Sequence, residues 1–280
     1  MAQAKSIFRY PGGKLKAIKF IRPFWEQIKH DEYREPFLGG GSVFIGKPLA
    51  KINWINDIDE GIVSFFKVIK QEKMRNKLIS ELMSVEISKA LYDKVYYSKP
   101  TNDYDRAKRI YILNRCSFSG IVKWNAFIGD VRYNIASAKD LINKVGRKLA
   151  NVIITRLDFE EVIMAKQMGE GNMFMFLDPP YAESRQIAAY TYSFEKKDHL
   201  RLCELLKKIN YQRPNFYFLL TYDDCEFIRK LYDWANIYER SWTYSVANAS
   251  VHHNPRETGR ELFISNFKLK RVVQKRLDST

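Results

Sequence analysis

Met173-Phe174-Met175-Phe176-Leu177-Asp178-Pro179-Pro180-Tyr181 is the stretch on which the reading of the fold turns. Five apolar residues are too few for a helix, and an acid with two prolines stops them, so the pattern predicts a buried parallel strand ending at a loop. Asp178 then sits at the carboxyl edge of a sheet, where the loops of open α/β folds form the ligand crevice. Pro179 and Pro180 have no backbone N–H and a fixed φ, which makes the loop rigid and rich in acceptors. Tyr181 adds a flat ring. Acceptors beside an aromatic face suit a planar ligand that donates hydrogens from an amino group, as the amino edge of adenine or cytosine does. Asp-Pro alone reads as a strand-terminating turn; the whole tetrapeptide behind an apolar strand reads as a site.

Upstream, Glu35-Pro36-Phe37-Leu38-Gly39-Gly40-Gly41-Ser42-Val43-Phe44 places three glycines where a strand turns tightly and the backbone must leave room for a cofactor. The next strand, Ile52 to Ile55, ends in Asn56-Asp57, and an acid at a second strand tip beyond a glycine loop suits a ribose diol. The spaced Gly-x-Gly-x-x-Gly of nicotinamide enzymes is absent. Phe8-Arg9-Tyr10-Pro11-Gly12-Gly13-Lys14 precedes a helical pattern (Leu15, Ile18, Ile21, Phe24), and Lys14 at its start can reach a carboxylate or phosphate. It is not a P-loop, because Leu15 stands where Ser or Thr is required. A third tip follows Asn151 to Thr155 and carries Asp158 and Phe159, an acid and an aromatic able to bracket a cofactor base.

The chain has 280 residues, 46% of them apolar and 14% aromatic, as expected of a globular protein with one large core and room for an insert. Its formal charge of +15 points to a polyanionic partner. Cys116, Cys203 and Cys225 are scattered and odd in number, which fits reduced thiols in a cytoplasm. His30, His199, His252 and His253 form no ligand pattern with them, so no metal is expected. No apolar run approaches a membrane span and none follows Met1 as a signal peptide would, so no membrane partner is expected either.

From 61 to 150 the strand pattern lapses, with helices predicted over Phe65 to Met83 and Tyr104 to Leu113 and a hairpin near Gly129. Between 101 and 150 ten Lys and Arg face four acids, and Tyr104, Tyr111, Phe118, Trp124, Phe127 and Tyr133 are interleaved with them. Cations for phosphates and flat side chains for bases are what a nucleic-acid surface needs, although a solvated helical face has the same charge pattern. Leu200 to Ile209 is a predicted crossover helix, and Phe216 to Leu220 a strand ending in Thr221. Ile237 to Tyr244 and Glu261 to Phe267 are predicted strands around a polar loop, 246–260, that carries His252, His253, Arg256 and Arg260. The tail, 271–280, adds cations.

With these motifs in this order the chain resembles the Dam-type, alpha-class (D12) family of DNA adenine-N6 methyltransferases. Phe8 to Lys14 is similar to that family's N-terminal cofactor motif, Pro36 to Gly41 to its Phe-x-Gly-x-Gly loop, and Asp178 to Tyr181 to its Asp-Pro-Pro-Tyr catalytic motif. Asn114 to Asn125 is similar to the start of its target-recognition hairpin. The resemblance implies an α/β, Rossmann-like S-adenosylmethionine-dependent methyltransferase sheet with an antiparallel C-terminal hairpin and an inserted, mainly helical target-recognition domain. The corresponding boundaries are 1–60 and 151–270 for the catalytic part, 61–150 for the insert and 271–280 for a basic tail. It implies cofactor contacts from Tyr10, Lys14, Phe37, Gly39, Gly41, Asp57, Asp158, Phe159 and Asp178, and catalysis by Asp178, Pro179, Pro180 and Tyr181.

Contacts to double-stranded DNA are expected from Arg115, Phe118, Ser119, Lys123, Trp124 and Arg132. Tyr10 replaces a more usual Trp, and Ser119 and Lys123 stand where readers of GATC commonly carry Asn and Arg. Arg grips guanine bidentately and Lys does not, so the target sequence is not inherited from those relatives. A restriction endonuclease of the same system is an expected partner in a bacterial or phage setting. Cytosine-N4 methylation, which uses the same acceptor chemistry, and a non-catalytic DNA-binding role are the alternatives.

Overall fold

β4 (Met173–Leu177) runs through the centre of the molecule and is buried along its whole length. Successive side chains of a strand face opposite sides of the sheet. Phe174 and Phe176 accordingly join one hydrophobic cluster, and Met173, Met175 and Leu177 join another on the opposite face. The computed structural model describes residues 6–9, 13–123, 125–130, 133–182, 192, 194–243 and 258–270, without the side chains of residues 119, 241–243, 258 and 259. The loop expected at 246–260, apart from its last residues, and the tail at 271–280 lie outside the described residues.

In chain order the elements are α1 (Ile18–Gln27), β1 (Glu32–Glu35), α2 (Ser42–Gly46), β2 (Ile52–Asn56), α3 (Glu60–Lys70), α4 (Glu72–Ser84), α5 (Lys89–Tyr97), α6 (Asp103–Cys116) and α7 (Ile135–Lys148). They continue with β3 (Ile153–Thr155), α8 (Phe159–Met164), β4, α9 (Lys196–Gln212), β5 (Phe216–Asp223), α10 (Glu226–Leu231), β6 (Asn236–Thr243) and β7 (Thr258–Ser265). The seven strands form one sheet in the order β3-β2-β1-β4-β5-β7-β6. β1 to β5 are mutually parallel, and β7 runs antiparallel to both β5 and β6. This is a mixed α/β fold with the expected antiparallel hairpin. The strand order reverses between β1 and β4, so the loops after these two strands diverge to opposite faces and open a crevice between them.

The sequence reading misses β1. Its residues Glu32, Tyr33, Arg34 and Glu35 carry no apolar signature, yet all four are buried between β2 and β4. Pairing makes this possible. Arg34 donates from Nε to Glu32 at 2.7 Å and to the carbonyls of Val162, Ala165 and Lys166 at the end of α8, while Glu32 accepts from the Met168 and Gly169 amides. The Tyr33 hydroxyl donates to Glu35.

Two expectations for the segment 61–150 are corrected. The single helix expected from Phe65 to Met83 is two, α3 and α4, because Gln71 is extended (φ −84°, ψ 115°) and ends one while starting the other. Buried Arg75 stabilises the break by donating to the Ile69 carbonyl at 2.8 Å. The hairpin expected near Gly129 is one antiparallel bridge between Ser117 and Phe127, ahead of that glycine. No helix among the described residues is long and apolar enough to cross a membrane.

Candidate active site

Asp178 leaves β4 at the crevice. Thr221 of β5 is buried beside it and donates from Oγ1 to Asp178 Oδ1 at 2.8 Å. Lys14 Nζ approaches the same oxygen at 2.7 Å from the other side of the molecule's first motif. Both donors that reach Asp178 among the described residues act on Oδ1, and the carboxylate retains 22% of its side-chain exposure, so Oδ2 can take a new donor. Lys14 is only 4% exposed and is shared with Glu261 of β7, 3.1 Å away. Its ammonium also lies 4.8 Å from the centre of the Tyr181 ring, and the Tyr181 hydroxyl donates to Glu261.

Across the crevice, Gly39 and Gly41 adopt positive φ (49° and 67°), which an L side chain resists. A Cβ on Gly41 would also meet the Phe66 ring at 3.0 Å. The Gly39 amide donates to Asp57 Oδ2 at 2.7 Å and the Asp59 amide to Asp57 Oδ1 at 2.9 Å, which fastens the β1 loop to the β2 tip. Burial, then the charge of Asp59, pushes the Asp57 carboxyl up to about 7. Glu35 forms part of the floor, and burial pushes its carboxyl up to about 8. The crevice between these walls holds about 760 Å³, counting the part open to solvent. Lys14, Phe37, Gly39, Asp57, Ile58 and Asp178 are among its lining residues.

Of the sequence-derived candidates, Pro180 lines the crevice and Pro179 is buried behind it. Asp158 is engaged elsewhere: it caps α8 through the Glu160 amide at 2.9 Å and pairs with Arg201 at 3.0 Å. Phe159 does not line the crevice but packs 5.5 Å from the ring of Phe37, which does. Arg115 is half-buried against Tyr111, Phe118 is 51% exposed, and Lys123 is exposed. Lys123 lines a second hollow that meets the crevice at Asp59 and Tyr192. Ser119 lies in a one-turn 3-10 segment, Phe118–Gly120, and its side chain is outside the described residues, as are Tyr10, Trp124 and Arg132.

Several cations counted in the sequence have structural duties instead. Lys148 donates to the last carbonyls of α2 at Phe44 and Ile45, Arg109 to those of α5, and Arg106 pairs with Glu60. Lys139, Lys144 and Arg147 of α7 are exposed. Among the described residues no group of His, Cys, Asp and Glu is placed to hold a metal.

The first motif is tied to the helical segment by a two-way clamp. Asn114 accepts from the Arg9 amide at 2.9 Å and donates to the Arg9 carbonyl at 2.8 Å and to that of Gly120 at 3.0 Å. Gly120 has φ +77°, and a Cβ there would lie 2.1 Å from the Arg9 carbonyl oxygen. Sequence reasoning misses the clamp, Thr221 and Glu261. The one signal for Glu261 is a lone acid opening an apolar strand.

An acid at a parallel strand tip and a glycine turn opposite it line one crevice at the point where strand order reverses, and the aromatic that follows the proline elbow packs beside it against Tyr222. The sequence pattern of the D12 class N6 adenine-specific DNA methyltransferases matches residues 10–246, most of the chain. The chain belongs to this family. Among the relatives of this D12 methyltransferase, the type II methyltransferase M.CviBI of Paramecium bursaria Chlorella virus NC1A is 28% identical over 262 residues, covering 88% of this chain and 94% of the relative. The type II methyltransferase M1.LlaDCHI of Lactococcus lactis subsp. cremoris is 26% identical over 222 residues, covering 72% and 76%. The family supplies the reaction class, DNA methylation. The geometry supplies what each residue of this D12 methyltransferase can contribute.

Proposed function

We propose that this chain transfers a methyl group from S-adenosylmethionine to N6 of an adenine flipped out of duplex DNA, with catalysis centred on Asp178. The observation that carries the reading is the Asp178 carboxylate, anchored at Oδ1 by Thr221 and Lys14 and lining a crevice across from a glycine turn. The residues present fit the cofactor: a glycine turn in which a Cβ would collide, an acid at the β2 tip for hydroxyls, and apolar walls from Phe37 and Ile58. S-adenosylmethionine supplies an electrophilic methyl group on a sulfonium.

Asp178 Oδ2 and the Pro179 carbonyl accept the two amino hydrogens of the base, which turns the nitrogen lone pair toward the methyl donor. Tyr181 stacks on the base. The fixed acceptors stabilise positive charge as it develops on that nitrogen. A base inside the stack cannot reach this crevice, so extrusion precedes transfer. The segment 61–150 acts as the DNA-binding insert of a catalytic part made from 1–60 and 151–270. Arg115, Phe118, Ser119, Lys123, Trp124 and Arg132 contribute contacts, and the tail, 271–280, adds phosphate affinity. The exposed cations of α7 and the hollow joining Lys123 to the crevice support that assignment. The type II names of the two relatives support a restriction endonuclease of the same system as partner.

Expression in a methylation-free host, followed by methylome sequencing and nucleoside mass analysis, tests this. We expect N6-methyladenine at one short sequence, and 4-methylcytosine or no methylation would overturn the reading. Asp178→Ala should lower turnover by about 10²–10³-fold while DNA binding persists. Lys123→Ala should alter the sequence profile, and an unaltered profile would remove Lys123 as a base reader.

A further inference from the structure

Resting on the reading of Asp178 and Tyr181 just given, we propose that Glu261 is a positioning residue of the methyl-transfer site, the β7 carboxylate that sets Lys14 and the Tyr181 hydroxyl around Asp178. Glu261 pairs with Asp223 of β5 and Arg240 of β6, and it is followed by Leu262, Phe263 and Ile264, all in the core. An apolar residue is the ordinary occupant of such a position. The acid found there is 1% exposed. Burial pushes its carboxyl up to about 7, with Lys14 acting against that shift and Asp178 adding to it. Its Oε2 has no hydrogen-bond partner among the described residues.

A buried, half-satisfied carboxylate is weak evidence for stability, since a buried ion pair often contributes no more than a well-packed apolar pair of the same volume would. What the carboxylate does hold is two groups of the site. Its Oε1 accepts from the Tyr181 hydroxyl and from Lys14 Nζ at 3.1 Å, while the same ammonium contacts Asp178 at 2.7 Å. Sharing has a consequence. With Glu261 in place, the Lys14 charge is divided between two carboxylates, which leaves Asp178 able to accept from an incoming amino group. With Glu261 neutral, the ammonium draws on Asp178 more strongly and competes with the base. The hydroxyl bond meanwhile fixes the tilt of the ring on which the base rests.

The experiment compares the full-length wild type with E261Q, Y181F and the double variant. It measures methyl incorporation from tritiated S-adenosylmethionine into plasmid DNA of a methylation-free host, with kcat, both KM values and the Tm of each protein. A bond to a charged group is worth enough to change a rate about 10- to 100-fold. Lys14 keeps Asp178 as a partner in E261Q and the amide is isosteric, so we expect that variant to lose about that factor in kcat, with both KM values within about threefold and Tm close to wild type. Y181F should lose part of kcat, and the double variant should be less impaired than the two losses multiplied, because both act through one bond. Wild-type kcat in E261Q, wild-type kcat in Y181F, a kcat loss that tracks a fall in Tm, or independent losses in the double variant would each overturn the assignment. A wild-type chain that places no methyl group on adenine overturns the reading of the whole site. Adenine methylation by the wild type with undiminished E261Q turnover overturns the role of Glu261 alone.

Discussion

Glu35 brings an acid into the floor of the crevice under conditions that pH should expose. Burial raises its carboxyl from 4.5 to about 8, against the pull of the Tyr33 hydroxyl, Lys148 and Lys47. A carboxyl whose folded pKa exceeds its unfolded one binds its proton more tightly in the native state, so stability is lost as pH rises from about 4.5 to about 8. E35Q, neutral throughout, should escape that loss. Thermal unfolding of the two proteins across this window should show the wild type losing ground by at most about 5 kcal/mol. A difference that does not vary with pH would show that Glu35 is not shifted. Asp178, Lys14, Asp57 and the glycines are legible in sequence because each belongs to a short motif whose chemistry is local. Thr221 and Glu261 are not, because only the registers of β5 with β4 and of β7 with β5 bring them to the same edge, and register is a property of the sheet.

Elements with their own apolar rhythm, β4, β5 and α9 above all, announce themselves in the order of their residues. β1 is hidden because its polar side chains are satisfied by α8 and by the segment that follows it, more than a hundred residues downstream. The break between α3 and α4 is hidden for a related reason, since the Ile69 carbonyl beside extended Gln71 is answered by Arg75 within the packed helices. The clamp at Asn114 makes a sharper demand. G120A would put a methyl group 2.1 Å from the Arg9 carbonyl and force an L side chain into φ +77°. A loss of about 2 kcal/mol or more is expected, read as a lower Tm together with weaker turnover. Gly129 also has a positive φ, 87°, but nothing lies within 4 Å of a Cβ there, so G129A should cost only the backbone strain, about 1 kcal/mol. Equal effects of the two substitutions would mean that the close approach to Arg9 carries no weight.

Across the whole molecule, short apolar strands with acids at their tips are enough to foresee an α/β sheet, while the antiparallel hairpin is foreseen through the family resemblance. Charge is the coarser guide. The +15 excess is real, yet part of it is spent on helix ends, as Lys148 and Arg109 show. The exposed remainder, including Lys139, Lys144 and Arg147, should govern affinity for duplex DNA. The logarithm of the binding constant should fall linearly with the logarithm of salt concentration, and neutralising one phosphate-contacting lysine should reduce the slope by about 1. A slope unchanged in the α7 triple alanine variant would move the binding face elsewhere.

The ion-paired triad joins residues far apart in sequence: Lys14 precedes the first helix, Asp178 follows β4, and Glu261 lies in β7. An emerging chain therefore cannot complete this triad until β7 has left the ribosome and inserted between its two neighbours. Abortive translation products ending before residue 258 lack that strand, and with it the carboxylate that divides the lysine's charge. Synthesis of β7 then decides when the triad around Asp178 exists.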